Sequence, residues 1–162
     1  MSYLDTTHDV YKKAALSPDI GLCCTTNPIW ELPGLKIPKI MQEMNYGCGS
    51  TVHARDLTNN PKTLYVGVGG GMELLQFSYF SRQKEGVIGV DVVDEMLEAS
   101  KKNFIEAELQ NPWFSKEFVS LKKGDALNLP VEDNSIDVAA QNCLFNIFKI
   151  EDLKKAISEM YR

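Results

Sequence analysis

Residues 63–77, TLYVGVGGGMELLQF, decide the fold. The first part is a short apolar run rich in β-formers, as a buried parallel strand requires. Gly67, Gly69, Gly70 and Gly71 then turn the chain. Glycine permits positive φ and lets a ligand approach the backbone. Residues 71–83 read as a helix opening from that turn, and the first N–H groups of a helix have no partner within it. A dinucleotide fingerprint would place glycine at 72, where Met72 stands. Gly67, Gly69 and Gly71 give the tighter GxGxG form, which suits a ligand carboxylate and sugar more than a pyrophosphate. A glycine-rich turn without a ligand is the plain alternative.

Working outward, VIGVD (87–91) reads as a second strand and 92–110 as a long helix with Met96, Leu97, Phe104 and Leu109 on one side. FVSLKKGD (118–125) reads as a third strand and IDVAAQN (136–142) as a fourth, after the turn-like EDNS. Residues 151–162 read as a closing helix. Strand–helix alternation from 63 to 162 specifies an α/β fold with an open, mostly parallel, Rossmann-like sheet. Its strands are expected near 63–68, 87–91, 117–121 and 136–141.

Residues 1–62 differ in character. Helical spacing over 1–16 is stopped by Ser17-Pro18. Residues 18–62 hold five prolines and three of the four cysteines, and only 38–46 reads as helical there. The expected organisation is an N-terminal helical and loop segment, 1–62, followed by the front part of a ligand-binding α/β domain, 63–162. The chain reaches Arg162 inside an amphipathic helix, and a fourth strand without a further neighbour has an unpaired edge. This reads as truncation after the fourth strand and its helix, leaving a fragment expected to be unstable or self-associating. The alternative is a naturally short chain covered by its own N-terminal segment or by a partner.

A length of 162 residues means one domain or part of one. Acidic residues outnumber basic ones, 22 to 17, so neither nucleic acid nor an anionic membrane is an expected partner. No apolar run approaches the length of about 18 residues that spans a bilayer. The N-terminus lacks the basic-then-apolar order of a signal peptide, so a cytoplasmic location is expected. Cysteines in that compartment read as thiols, metal or metalloid ligands, or redox groups more than as disulfides.

Candidate ligand residues gather at the carboxyl ends of the strands, where open α/β sheets bind ligands. Asp91 ends the second strand, 20 residues after Gly71, where an acid can accept both hydroxyls of a ribose. It could instead cap the next helix, as could Asp94. Asp125 and Ala126 form a second acidic turn after the third strand, and Asp125 can accept from an adenine amino group. Asn142 and Cys143 follow the fourth strand on the same rim. Cys48, between Gly47 and Gly49, sits in a turn that can fold over that rim. Cys23 and Cys24 are adjacent, and no pair has CxxC spacing. Converging thiols suit a soft thiophilic ion; a single cysteine is as readily a small buried apolar residue.

Over 63–162 the three turns resemble the class I S-adenosylmethionine-dependent methyltransferases. The resemblance implies S-adenosyl-L-methionine as cofactor, on Gly67, Gly69, Gly71, Asp91, Asp125, Ala126 and Asn142. Tyr65 departs from it, standing where most such enzymes carry an acid that contacts the methionine part of the cofactor. GLCCT, NYGCGS and SIDVAAQNCLFNIF further resemble motifs of the arsenite methyltransferases. MQEMNYGCGSTVH, LYVGVGGGMELLQF and QNCLFNIF are most similar to the branch associated with arsenosugar biosynthesis. That resemblance implies As(III) as substrate, held by Cys48, Cys143 and one of Cys23 or Cys24, with Tyr46 over the cofactor and a thiol reductant as partner. It implies no general base, and His8 and His53 read as surface or loop residues. Two rivals stay open: a class I methyltransferase acting on another small molecule, and a non-catalytic cofactor- or metalloid-binding fragment.

Overall fold

The computed structural model describes residues 2–19, 21, 22, 31–47, 49 and 51–162. Four strands form one sheet: β1 (Thr63–Val66), β2 (Val87–Asp91), β3 (Val119–Lys123) and β4 (Val138–Gln141). All neighbours are parallel and the order is β3-β2-β1-β4. The chain therefore leaves β1 toward one edge for β2 and β3, then returns past β1 for β4. That reversal opens a crevice at the carboxyl ends of β1 and its neighbours.

Period-two alternation puts a core on each face of the sheet. Leu64, Val66, Ile88 and Val90 point to one face and pack with Ala126, Leu129 and Ala156. Ala156 belongs to α5 (Ile150–Tyr161), the helix after β4. The opposite face carries Tyr65 and Val87 and is the larger core. It is covered by α3 (Met72–Ser78), buried along its whole length, and by α4 (Asp94–Gln110). The N-terminal segment joins this core through Ala14 of α1 (Tyr3–Leu16) and Met41 of α2 (Lys39–Glu43). The buried Asn111 amide holds the backbone of Lys36 at both its N–H (2.7 Å) and its carbonyl (2.8 Å), which fixes the segment before α2. Among the described residues no helix is long and apolar enough to cross a membrane.

Local chemistry shifts several expected boundaries. β3 begins at Val119 because Ser115 caps a 3-10 turn over Lys116–Phe118. The helix after the glycine turn ends at Ser78, where Tyr79 and Phe80 donate three residues back. Arg82 then lies over the rings of both Tyr79 and Trp113, 4.8 Å from each. Leu109 is not on the buried side of α4: it is 83% exposed and Ala107 is buried instead. At 3.6 residues per turn, Ala107 is three residues past Phe104 and shares its face, whereas Leu109 has rotated away.

Candidate functional site

A cavity of about 480 Å³ lies at the carboxyl ends of β1, β2 and β4, roofed by α1. Its floor is the β1–α3 turn. Gly67, Gly69 and Gly71 all have positive φ, +86°, +51° and +86°, so the turn takes a path that side-chain-bearing residues rarely follow. Gly67 and Gly69 line the cavity. A Cβ on Gly67 would meet no atom within 4 Å and would occupy the space open to a ligand. A Cβ on Gly70 would lie 2.7 Å from that of Met44, so the turn fills the gap between cavity and core. Gly71 caps α3 behind the cavity, with the Phe104 ring 3.0 Å from where its Cβ would be. Helix α4 pins the turn from below: Ser100 Oγ donates to the Gly69 carbonyl (2.9 Å) and Asn103 Nδ2 to that of Gly70 (3.0 Å).

Asp91 borders the cavity at the end of β2. Its Oδ2 accepts from the Val68 N–H and its Oδ1 from the Val93 N–H, both at 2.9 Å. One carboxylate thus ties the glycine turn to the start of α4. An ionised carboxylate has about four acceptor sites, so room remains for a ligand hydroxyl. Burial raises its pKa to about 6, against the pull of the Val93, Val68 and Val92 N–H groups and of His8. Asp125 also lines the cavity, exposed on its outer side, and its Oδ1 accepts from the Leu127 N–H at 2.9 Å. Ala126 is buried beneath it in the second core and does not border the cavity.

At the other end lie Tyr65, Glu73 and Asn142. The Glu73 carboxylate accepts from the Tyr65 hydroxyl and from the Asn142 side chain. Burial pushes Glu73 up from the usual carboxylate range and Tyr65 well above the usual phenol range. Asn142 Nδ2 also donates to the Gly49 carbonyl at 2.5 Å. A Cβ on Gly47 would collide with the Asn142 side chain at 2.3 Å, so position 47 must be glycine for the two to meet. Cys143 follows, half-buried, in left-handed conformation at φ 57° and ψ −2°, with its Sγ 3.5 Å from Asn142 Oδ1. A non-glycine residue held there costs on the order of 1–3 kcal/mol.

The roof is α1 with Tyr46. Leu4, Thr7, His8 and Tyr11 face the cavity from α1. The Tyr46 hydroxyl donates to the Ala14 carbonyl (3.1 Å) and its ring meets Tyr11 edge-on at 6.1 Å. Lys12 pairs with Glu95 of α4 at 2.8 Å. His8 lines the cavity from a helix with its side chain 37% exposed, so it is a surface residue, as expected, and not a loop one. His53 is exposed and caps a 3-10 turn, Ala54–Asp56, as a loop residue should.

Of the expected cofactor residues, Tyr46, Gly67, Gly69, Asp91, Asp125 and Asn142 share this one cavity. Sequence reasoning passed over Glu73, whose signal was a lone carboxylate inside the apolar run MELLQF. Cys23, Cys24 and Cys48 lie outside the described residues. Among the described residues no three His, Cys, Asp or Glu side chains are grouped to hold a metal ion.

Comparison with known proteins agrees with this geometry. The arsenite methyltransferase of Halobacterium salinarum is 25% identical over 124 residues, 74% of this chain and 28% of that relative. A demethylmenaquinone methyltransferase of Staphylococcus epidermidis is 35% identical over 79 residues, 49% of this chain and 28% of the relative. The chain thus spans less than a third of the length of these relatives. Among solved structures, an arsenic(III) S-adenosylmethionine methyltransferase from Chlamydomonas reinhardtii superposes with a TM-score of 0.66 at 25% identity, over 80% of this chain and 43% of that one. The sheet is that of the class I methyltransferases, and S-adenosyl-L-methionine is the cofactor that goes with it. Residues 64–162 match the methyltransferase domain, and the chain belongs to that family.

Proposed function

We propose that this chain binds S-adenosyl-L-methionine between the glycine turn and α1, and methylates trivalent arsenic held by Cys48, Cys143 and one of Cys23 or Cys24. The cavity fits the cofactor: its volume is within the ordinary range for such ligands, about 300–1,000 Å³, and Gly67 leaves open the space a side chain would fill. When bound, the cofactor supplies an electrophilic methyl group on a sulfonium. In this reading Asp91 accepts the ribose hydroxyls and Asp125 the adenine amino group, while Tyr46 covers the ligand and Asn142 meets its far end. Gly71 and Ala126 support the two turns from behind.

The acceptor's residues have a different task. Three thiolates hold As(III) as substrate and leave its lone pair facing outward. The thiols lose their protons when they bind the metalloid, so no general base is needed. The chain's contribution is alignment and exclusion of water by the α1 roof; orientation of this kind is worth about 7–11 kcal/mol. A thiol reductant is then the partner that keeps the cysteines and the metalloid reduced, as a cytoplasmic setting would allow.

The observation that carries the arsenite reading is the meeting at Asn142. Gly47 and Gly49, which flank Cys48, both reach the side chain of Asn142, whose next residue is Cys143. The likeness to the H. salinarum enzyme adds support. It covers 74% of the chain, more than residues 64–162 supply, so it extends into the segment that carries the other cysteines. A second reading, methylation of a different small acceptor, is favoured by the higher identity of the S. epidermidis enzyme, whose 49% coverage does not require that segment. Cys143→Ser and Cys48→Ser separate the two, because serine keeps the size but replaces a soft ligand by a hard one. Both should abolish arsenite methylation and leave S-adenosylhomocysteine binding by calorimetry unchanged. If both variants methylate arsenite at the parent rate, there is no three-thiol site.

A further inference from the structure

We propose that Glu73 receives the α-ammonium group of S-adenosyl-L-methionine, positioned for it by the Tyr65 hydroxyl and the Asn142 amide. The residue is 7% exposed and sits in the first turn of α3 with its carboxylate bordering the cavity. Burying a carboxylate is costly unless it is both hydrogen-bonded and paired with a cation. The chain supplies the first condition through Tyr65 and Asn142. It does not supply the second: among the described residues no lysine, arginine or histidine forms an ion pair with Glu73. Glu73 lines the cavity, where a cationic ligand group would complete the pairing.

The order along the sheet also suits a ligand with two chemically different ends. Asp91 and Asp125 lie on the β2 and β3 side of the cavity, and Glu73, Tyr65 and Asn142 on the β1 and β4 side. This step rests on the assignment of Asp91 to the ribose: with the nucleoside there, the amino-acid end of the cofactor extends toward Glu73. Tyr65 then has a defined role. It is a neutral phenol just before the glycine turn, 2% exposed, with its ring held edge-on by Phe77 at 5.7 Å. Its hydroxyl fixes the carboxylate that comes from the helix, so the charge the strand lacks is provided one turn later.

Calorimetric titration with three ligands tests this: S-adenosylhomocysteine, its deaminated analogue, and 5′-methylthioadenosine, which has no amino-acid part. Glu73→Gln keeps the shape and removes the charge. It should weaken S-adenosylhomocysteine binding by about tenfold or more, as for loss of a hydrogen bond between charged groups. Binding of the other two ligands should change less than about twofold. Tyr65→Phe should move the first ligand in the same direction by less, and Glu73→Asp should recover part of the affinity, which a purely structural role would not predict. Equal weakening of all three ligands, or unchanged S-adenosylhomocysteine binding, would overturn the proposal. The nucleoside assignment is judged separately: if Asp91→Asn leaves 5′-methylthioadenosine binding unchanged, that end is wrong, while the comparison of S-adenosylhomocysteine with its deaminated analogue still decides Glu73.

Discussion

If Asp91 accepts the ribose hydroxyls, nucleoside affinity must depend on its charge. Burial raises its pKa to about 6. Hydroxyl donors favour the ionised form, so the proton must leave when ligand binds. One unit above that pKa about nine-tenths of the carboxyls are ionised, and one unit below about one-tenth, which makes binding at pH 5 about tenfold weaker than at pH 7. The ligand for the assay is 5′-methylthioadenosine, which lacks the amino and carboxyl groups that would titrate independently. Asp91→Asn should bind it about 10- to 150-fold more weakly at pH 7, equivalent to about 1.5–3 kcal/mol, and with no slope between pH 5 and 7. His8 is close enough to pull the Asp91 pKa down, so His8→Asn is the control; it should retain the slope with its midpoint moved upward.

Stability runs in the opposite direction. A carboxyl whose folded pKa lies above its unfolded value of 3.8 binds its proton more tightly in the native state. Its contribution is complete below the unfolded pKa and is lost as pH rises to about 6, by at most about 3 kcal/mol. Unfolding midpoints in urea should therefore fall over that window in the wild type and less so in Asp91→Asn. Wild-type affinity that is flat from pH 7 to 5, or a slope that persists in Asp91→Asn, would refute the ribose assignment.

Two further outcomes follow from the packing. Gly89 of β2 faces the larger core, and a Cβ there would lie 2.7 Å from Leu74 Cδ1 and 2.8 Å from Leu121 Cδ2. Gly89→Ala should cost about 1–3 kcal/mol by overpacking, read as a lower urea midpoint with unchanged slope. Cys143→Gly should raise stability by about 1 kcal/mol, because glycine accepts the left-handed backbone at φ 57° without strain, and on the proposed three-thiol reading it should remove arsenite methylation. A variant that is both less stable and fully active would sink that account of Cys143.

The sheet was legible because its signals are local and repeated. Strand and helix segments alternate from residue 63 onward, β1 and β2 are apolar runs, and the glycine turn marks where the first hands over to a helix. Boundaries were less legible where side chains decide them: a Ser115 cap delays β3, and stacking around Arg82 follows an early end to α3. Asp91, Asp125 and Asn142 could be found because topology alone puts strand ends on one rim. Glu73 and His8 could not, since each sits in a helix whose pattern reports burial and says nothing of what the buried side meets. Leu109 shows the converse error, an apolar residue taken for core although five residues from Phe104 is far from the same face.

The two raised carboxyls also bear on why the cavity is built at a cost to the fold. Asp91 and Glu73 line one cavity, Glu73 buried and Asp91 half-buried, each satisfied by neutral donors from the chain. A site selected only for stability would neutralise or pair them, since an unpaired buried charge is among the more damaging features a domain can hold. On the assignments above, one ligand resolves both ends at once, with hydroxyl donors for Asp91 and an ammonium for Glu73. Binding then stabilises the fold by more than the contact at either end, and the variants Asp91→Asn and Glu73→Gln should be non-additive in ligand-induced thermal shift. The coupling has a path in the structure: Asp91 holds the Val68 N–H, Val68 lies within the turn that opens α3, and α3 carries Glu73.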